Sequence, residues 1–206
     1  RVGLYRRRAD GVILGAGDHG ELFGDHGPEP LEDDFTLRRF RERLRRRRGR
    51  LKTTLLDQSF IAGVGNIYAD EALWRSRLHP LRSADGLNTD QERRLYLAVR
   101  EVMFEAIERR GSSVDDYTAP EGGGEMQEHL DAYQRTGRHC HRCGRPIVRF
   151  ELNARGTHFC SWCQRLPGAD RTPSNLALVR RARRSAQRGR NWSELGGPTG
   201  AEERAN

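Results

Sequence analysis

Apolar positions recur at helical spacing in three stretches of the chain. In "FTLRRFRERLRRRRG" (35–49), Phe35, Leu37, Phe40 and Leu44 fall on one side, which predicts an amphipathic helix with one dense arginine face. "LKTTLLDQSF" (51–60) reads as a short helix, and "NIYADEALWRSRLHP" (66–80) as another, with Ile67, Leu73 and Trp74 apolar and Pro80 beyond its end. The clearest helix is "NTDQERRLYLAVREVMFEAIERR" (88–110). Its expected buried stripe is Leu95, Val99, Val102, Met103 and Ile107, with Thr89 and Glu92 placed as a capping box and Gly111 at its end. Strict alternation is confined to "RVGLY" at the start, which reads as a strand, and to "PIVRFEL" (146–152). The latter, followed by Gly156 and "THF", suits a β-hairpin.

Between these elements lie segments without period. Residues 18–35 are turn-rich and acidic, and 111–127 form a Gly-, Ser- and Asp-rich loop of 17 residues, long for a compact domain. From Leu166 onward Pro, Gly, Ser and Arg mix with too little apolar pattern to fold, which predicts a disordered basic tail over 167–206. At 206 residues the chain suits one or two domains. No apolar run approaches the length of a membrane span, and no leader-like segment is seen. A net charge of +8 fits a polyanionic partner. The charge is almost wholly arginine, since Lys52 is the single lysine.

All four cysteines sit in "CHRCGRPIVRFELNARGTHFCSWC", as C-x2-C, sixteen residues, then C-x2-C. Two close pairs on two turns can bring Cys140, Cys143, Cys160 and Cys163 to the corners of a tetrahedron around one zinc ion. So short a segment cannot hold a core unaided, so the metal would supply its folding energy. A closed site of four thiolates leaves no open coordination position, which makes the zinc structural rather than catalytic. Paired disulfides and a redox CxxC are the competing readings. The first lacks a secretory context, and the second would not need a twin. His139, His141 and His158 stand nearby, but four thiolates already complete the site.

"IAGVGNIYA" (61–69) places Gly63 and Gly65 at the entrance of a helix. A dinucleotide fingerprint would need a third glycine where Tyr68 stands and a preceding strand, and a Walker motif would need a lysine after the glycines. Neither is present. What remains is helix, glycine turn, helix, with the amides of Gly63, Gly65 and Asn66 expected to face outward at the positive end of the second helix. With Lys52 on the first helix, this makes an anion site suited to a phosphodiester backbone. A tight turn that needs glycine only for its backbone angles is the plainer alternative.

At these residues the chain resembles a known family. "LKTTLLDQSFIAGVGNIYADEALWRSRLHPLR" is similar to the helix–two-turn–helix of the bacterial formamidopyrimidine-DNA glycosylase and endonuclease VIII family, and "CHRCGRPIVRFELNARGTHFCSWCQR" to that family's C-terminal zinc finger. The resemblance runs from about Arg1 to Arg165. It implies a mainly α fold: a remnant of an N-terminal β domain and linker (1–33), a helix–two-turn–helix DNA-binding domain (34–131), and a four-cysteine zinc-finger β-hairpin (132–166) before the tail. It implies a bacterial, cytoplasmic, nucleoid-associated monomer acting on damaged double-stranded DNA in base-excision repair. Such enzymes excise oxidised bases and cleave the abasic site.

Residue by residue, the resemblance makes Lys52 and Asn66 the phosphate-binding lysine and asparagine of the helix–two-turn–helix. Arg155 becomes the arginine at the hairpin tip, Tyr133 a phosphate-contacting tyrosine, and Cys140, Cys143, Cys160 and Cys163 the zinc ligands. A packing role for Tyr133 and a solvated turn for Arg155 are the competing readings. The arginines of 38–50 match no family contact and read mainly as a solvated basic face. The loop 111–127 is similar to a lesion-capping loop but has Glu125 and Met126 where an aromatic pair often precedes the glutamine. The family's catalysis depends on an N-terminal proline and glutamate that this sequence does not contain, so the chain alone is expected to bind DNA without catalysis. Lys52 is not expected to replace them as an imine-forming amine, because a phosphate-binding environment keeps it charged. A noncatalytic zinc-containing DNA-binding module on the same scaffold is the alternative; a ribosomal or transcription-associated zinc protein would leave the helix–two-turn–helix unexplained.

Overall fold

A computed structural model describes residues 26–109 and 129–194, together with two two-residue strands, β1 (Arg6–Arg7) and β2 (Ile13–Leu14), which pair antiparallel. "RVGLY", the loop 111–127 and the end of the tail lie outside the described residues. The helical unit comprises α1 (Leu37–Arg45), α2 (Leu51–Leu56), α3 (Asn66–Ser76) and α4 (Thr89–Glu108). A hairpin of β3 (Val148–Leu152) and β4 (Arg155–Phe159) follows, and then α5 (Pro173–Glu194).

The ends of the helices are set by local chemistry. Thr36 caps α1 by accepting from the amide of Arg39 at 3.3 Å. The capping box of α4 is Asn88 with Gln91, one residue ahead of the expected Thr89–Glu92 pair. Glu92 is instead buried and accepts from Arg45 at 2.7 and 2.9 Å, with Arg41 at 3.1 Å. The arginine face of α1 is therefore only partly solvated. Arg43 donates to the carbonyls of Ser59 and Phe60, and Arg47 to Asp57. Arginines here tie the helices together, because a guanidinium can span two acceptors while its stem lies along apolar surface.

The main core runs through the helical unit, from Phe35, Phe40 and Leu44 of the α1 region to Leu95, Val99, Val102 and Met103 of α4. The observed α4 stripe includes Ala98 and Ala106, while Ile107 is only half-buried. Phe35, Phe40, Phe60 and Tyr96 pack ring against ring with centroids 5.6–5.9 Å apart.

The tail departs from expectation. Residues 173–194 are helical, not disordered, and α5 packs against β3. Asn175, Leu178, Val179 and Ala182 form an i, i+3, i+4, i+7 stripe against the finger. Asn175 accepts from Arg50 Nε at 2.9 Å and donates to the Asp170 carbonyl at 2.8 Å, fixing the start of the helix to the helical unit.

A candidate nucleic-acid interface

The two-residue turn of the hairpin is Asn153–Ala154, both left-handed (φ 51° and 58°), between the paired residues Leu152 and Arg155. Two successive positive φ angles match the right-handed twist of the strands, at some strain for Ala154. Gly156 lies in β4, two residues beyond the turn. An added Cβ there would meet the Arg149 guanidinium at 3.0–3.1 Å, so glycine lets Arg149 lie flat across the strand.

The Gly156 carbonyl is the point where the helical unit grips the hairpin. Lys52 Nζ donates to it at 2.9 Å and Asn66 Nδ2 at 3.1 Å. Lys52 is completely buried and also bonds Asp70 Oδ1 at 2.7 Å, while Asp70 Oδ2 accepts from the His158 amide at 2.9 Å and sits 3.1 Å from its Nδ1. Sequence reading placed Lys52 at a phosphate. In this structure its ammonium has no exposed surface, and its counter-charge is Asp70. Burial lowers its pKa against the pull of Asp70, and the nearby Arg155 and Arg149 lower it further.

Arg155, beside this clamp, is exposed at the tip. Tyr133 is half-buried, packed on the main core and edge-on to His158 with centroids 5.0 Å apart. Packing and partial exposure thus coexist at Tyr133. Its placement depends on Glu71, a residue the sequence reading missed. The buried Glu71 carboxylate accepts the amides of Asp131, Ala132 and Tyr133 at 2.8–2.9 Å. Burial raises its pKa, and those three amides pull it back. Two consecutive acids, Asp70 and Glu71, inside an otherwise buried helix were the available signal, since buried charge is retained only where it is paired.

The glycine turn also differs from expectation. Gly63 is left-handed (φ 77°), and its amide is taken by Gln58 Oε1 at 2.9 Å, so it does not face outward. Gly65 is the N-cap of α3 and supplies no side-chain cap, and an added Cβ would meet nothing within 4 Å. The amides of Gly65 and Asn66 have no acceptor among the described residues, and the buried Oδ1 of Asn66 has no partner. This helix entrance, next to the Gly156 clamp and Arg155, is where an anion would meet donors and a positive dipole end.

The four cysteines converge. Their sulfurs lie within 4.8 Å of one another, with Cys143–Cys160 at 3.5 Å and Cys140–Cys163 at 4.0 Å. A tetrahedron with metal–sulfur bonds of about 2.3 Å has edges of about 3.8 Å, so the set fits one structural zinc ion. Burial pushes the Cys160 thiol up to about 11, so metal binding must displace protons. Of the three nearby histidines, His141 is held by Asp131 at 2.7 Å and Arg135 at 2.6 Å and His158 by Asp70, and His139 does not join the cluster the four sulfurs form. Gln164 pins the second knuckle to the helical unit, accepting from the Cys160 amide at 2.8 Å and donating to the Leu78 carbonyl at 2.9 Å.

This architecture, a helix–two-turn–helix gripping a four-cysteine hairpin, matches two family models. Residues 26–118 match the formamidopyrimidine-DNA glycosylase H2TH domain, and 139–166 the zinc finger found in FPG and IleRS. The chain is 53% identical over 139 residues to a formamidopyrimidine-DNA glycosylase of Herpetosiphon aurantiacus, covering 67% of this chain and 51% of that protein. It is 40% identical over 194 residues to one of Symbiobacterium thermophilum, covering 93% and 62%. Among solved structures, MutM (FPG) of Thermus thermophilus superposes with TM-score 0.68 at 39% identity, covering 80% of this chain and 73% of that one. Lactococcus lactis Fpg in complex with abasic-site DNA gives 0.68 at 37% identity, covering 75% and 58%. The chain belongs to the formamidopyrimidine-DNA glycosylase family. It spans about half to three-fifths of the length of these curated relatives. Among the described residues, no helix is long and apolar enough to cross a membrane.

Proposed function

We propose that this chain is the DNA-binding part of a base-excision enzyme of the formamidopyrimidine type, and that it holds damaged duplex DNA by its phosphates. The carrying observation is the double clamp of Lys52 and Asn66 on the Gly156 carbonyl, which sets exposed Arg155 beside the uncapped entrance of α3. In this reading Arg155, the Gly65 and Asn66 amides and the edge of Tyr133 meet the DNA backbone. Lys52 acts beneath them as a positioning residue. The zinc keeps the hairpin rigid and has no part in bond breaking. The excision and strand-cleaving chemistry of the family is assigned to its N-terminal proline and glutamate. Residues 34–131 and 132–166 are the two working units, and the protein acts as a monomer in the bacterial cytoplasm.

The test is equilibrium binding of the zinc-loaded chain to a duplex carrying a stable abasic-site analogue, titrated with salt. Arg155→Ala should weaken binding by about 1–2 kcal/mol and lower the salt slope by about one. An unchanged slope would remove the phosphate role. Borohydride treatment of the chain on true abasic-site DNA should leave no covalent adduct. An adduct lost on replacing Lys52 would transfer the imine chemistry to this chain.

A further inference from the structure

Arginines gather a second time at the far end of α3. A cleft of about 510 Å³ is lined by Arg77, Arg82, Arg142 and Arg165 with Gln91 and Trp162, and no carboxylate lines it. Because α3 has 11 residues, its ends lie about 16 Å apart. The cleft therefore lies at the opposite end of this helix from Asn66.

Structural duties account for only part of this charge. Arg142 is committed to the fold: it donates to the carbonyls of Trp74 and Arg75 at 2.5 and 3.2 Å, and its guanidinium lies 3.6 Å from the Trp74 ring centroid. Cys143 and Cys163 border the cleft, and one zinc ion with four thiolates carries a net charge of about −2. With the neighbouring Arg145 and Arg94 added, the guanidiniums outweigh that charge and the nearby carboxylates of Asp170 and Asp131 by about two. Arg82 donates Nη2 to the Gly86 carbonyl at 2.9 Å, but its buried Nε has no acceptor among the described residues. Arg77 closes α3 in a left-handed conformation (φ 58°) with its side chain exposed at the rim.

Trp162 indicates what the surplus charge meets. It is 47% exposed, with Arg145 at 3.6 Å and Arg165 at 4.2 Å from its ring centroid. A guanidinium stacked on an aromatic ring is held in place, yet keeps its in-plane N–H edges for a bidentate oxyanion. An exposed aromatic edge among such donors also offers a base or sugar an apolar contact, which a carboxylate-bearing peptide does not require. We propose that this cleft is a second nucleic-acid site, taking the phosphodiester backbone of a strand that lies outside the duplex held at the hairpin tip.

The experiment compares the zinc-loaded chain on a blunt abasic-analogue duplex and on the same duplex with a single-stranded tail. The tail should tighten binding by about threefold or more at low salt, and steepen the salt dependence. The double variant Arg82→Gln/Arg165→Gln should lose that gain while binding the blunt duplex as before. Arg77→Gln, which changes only an exposed rim side chain, should lose part of it and keeps the test open if the double variant misfolds. A tail gain that survives in folded variants, or no gain in the parent chain, overturns the proposal. So does polyglutamate competing with the tail as well as oligothymidylate does, which would make the cleft an acidic-peptide site. Loss of blunt-duplex binding alone counts against the duplex-binding reading instead, and oligothymidylate binding then still tests the cleft.

Discussion

The helical unit and the finger, joined in one structure, are held by different means. Among the described residues, the helical unit buries 22 hydrophobic residues in one continuous cluster, whereas the finger side has one cluster of seven, shared with α5, and one of five that includes two of the cysteines. What the finger lacks in apolar burial is supplied by the metal site and by buried polar bonds from the helical unit. Lys52 and Asn66 hold Gly156, Asp70 holds His158, Glu71 holds the segment leading into the finger, and Gln164 holds the second knuckle. Directional bonds locate the hairpin tip more narrowly than apolar contact would, because each fixes both distance and angle. The surface proposed to meet DNA thus belongs to the region least able to order itself.

The largest test of this contrast is removal of zinc. Chelation should disorder the hairpin and weaken duplex binding by at least about tenfold, since a four-cysteine site supplies most of the folding energy of so small a unit. Helical circular dichroism should largely persist, because the 22-residue core contains none of the cysteines. Joint loss of both signals in one transition would show that the two regions do not differ in this way.

Next in size is Lys52→Met. It leaves Asp70 a buried carboxylate held only by His158, without its lysine counter-charge, and should cost about 3–5 kcal/mol in denaturant unfolding. The double change Lys52→Met/Asp70→Leu should restore part of that stability but not the duplex affinity, because Gly156 would still lack its lysine clamp. If the single variant is as stable as the parent chain, the clamp between the regions is weaker than its geometry implies.

The unequal legibility of the sequence follows the same division. The helices of the main core were visible because Phe40, Leu44, Leu95, Val99 and Val102 repeat at helical spacing, and the metal site because cysteine pairs have few other uses. The polar pins were not visible. Lys52, Asp70, Glu71 and Gln164 acquire partners 18 to 104 residues away, and no local pattern encodes such pairings. The sequence therefore offers Lys52 only as a phosphate-binding cation, with no sign of Asp70 or Gly156. The α1 arginines were read as solvated for the same reason, although Arg45 and Arg41 meet Glu92. In α5 the stripe is real but built from Asn175, Leu178, Val179 and Ala182, only two of them large and apolar. An arginine-rich helix with so thin a stripe resembles an unfolded basic segment until the surface it covers is known.

A smaller effect separates the regions by pH. His79 is buried against Phe159, with centroids 4.7 Å apart, and its Nδ1 accepts the Leu81 amide at 3.1 Å. Burial pushes its pKa down from 6.5 to about 3. The neutral ring is the one the fold accepts, so the unfolded chain binds the extra proton first. Its contribution is complete above about pH 6.5 and falls away as the pH drops toward 3. His79→Gln should lower stability at about pH 7 by about 1–2 kcal/mol, and the gap from the parent chain should narrow as pH falls from about 6.5 to about 4. Acid release of zinc affects both proteins alike and cancels in that difference. A gap that stays constant with pH would mean that His79 contributes only by packing.

The smallest effect is expected where α5 lies on the hairpin. Val179 is half-buried against the cluster of Val148, Phe150 and Phe159, so Val179→Asp removes one modest apolar contact and adds a charge that can turn toward solvent. A cost of about 1–2 kcal/mol follows, seen as a lower thermal midpoint for the zinc-loaded finger with the helical unit unchanged. The direction matters more than the size. A shift confined to the finger places α5 among the supports that compensate for its thin core, alongside the metal and the polar pins. An equal shift of both regions would mean that α5 braces the molecule as a whole, through Arg50–Asn175 and Ser83–Asp170, and that the finger depends on metal and pins alone.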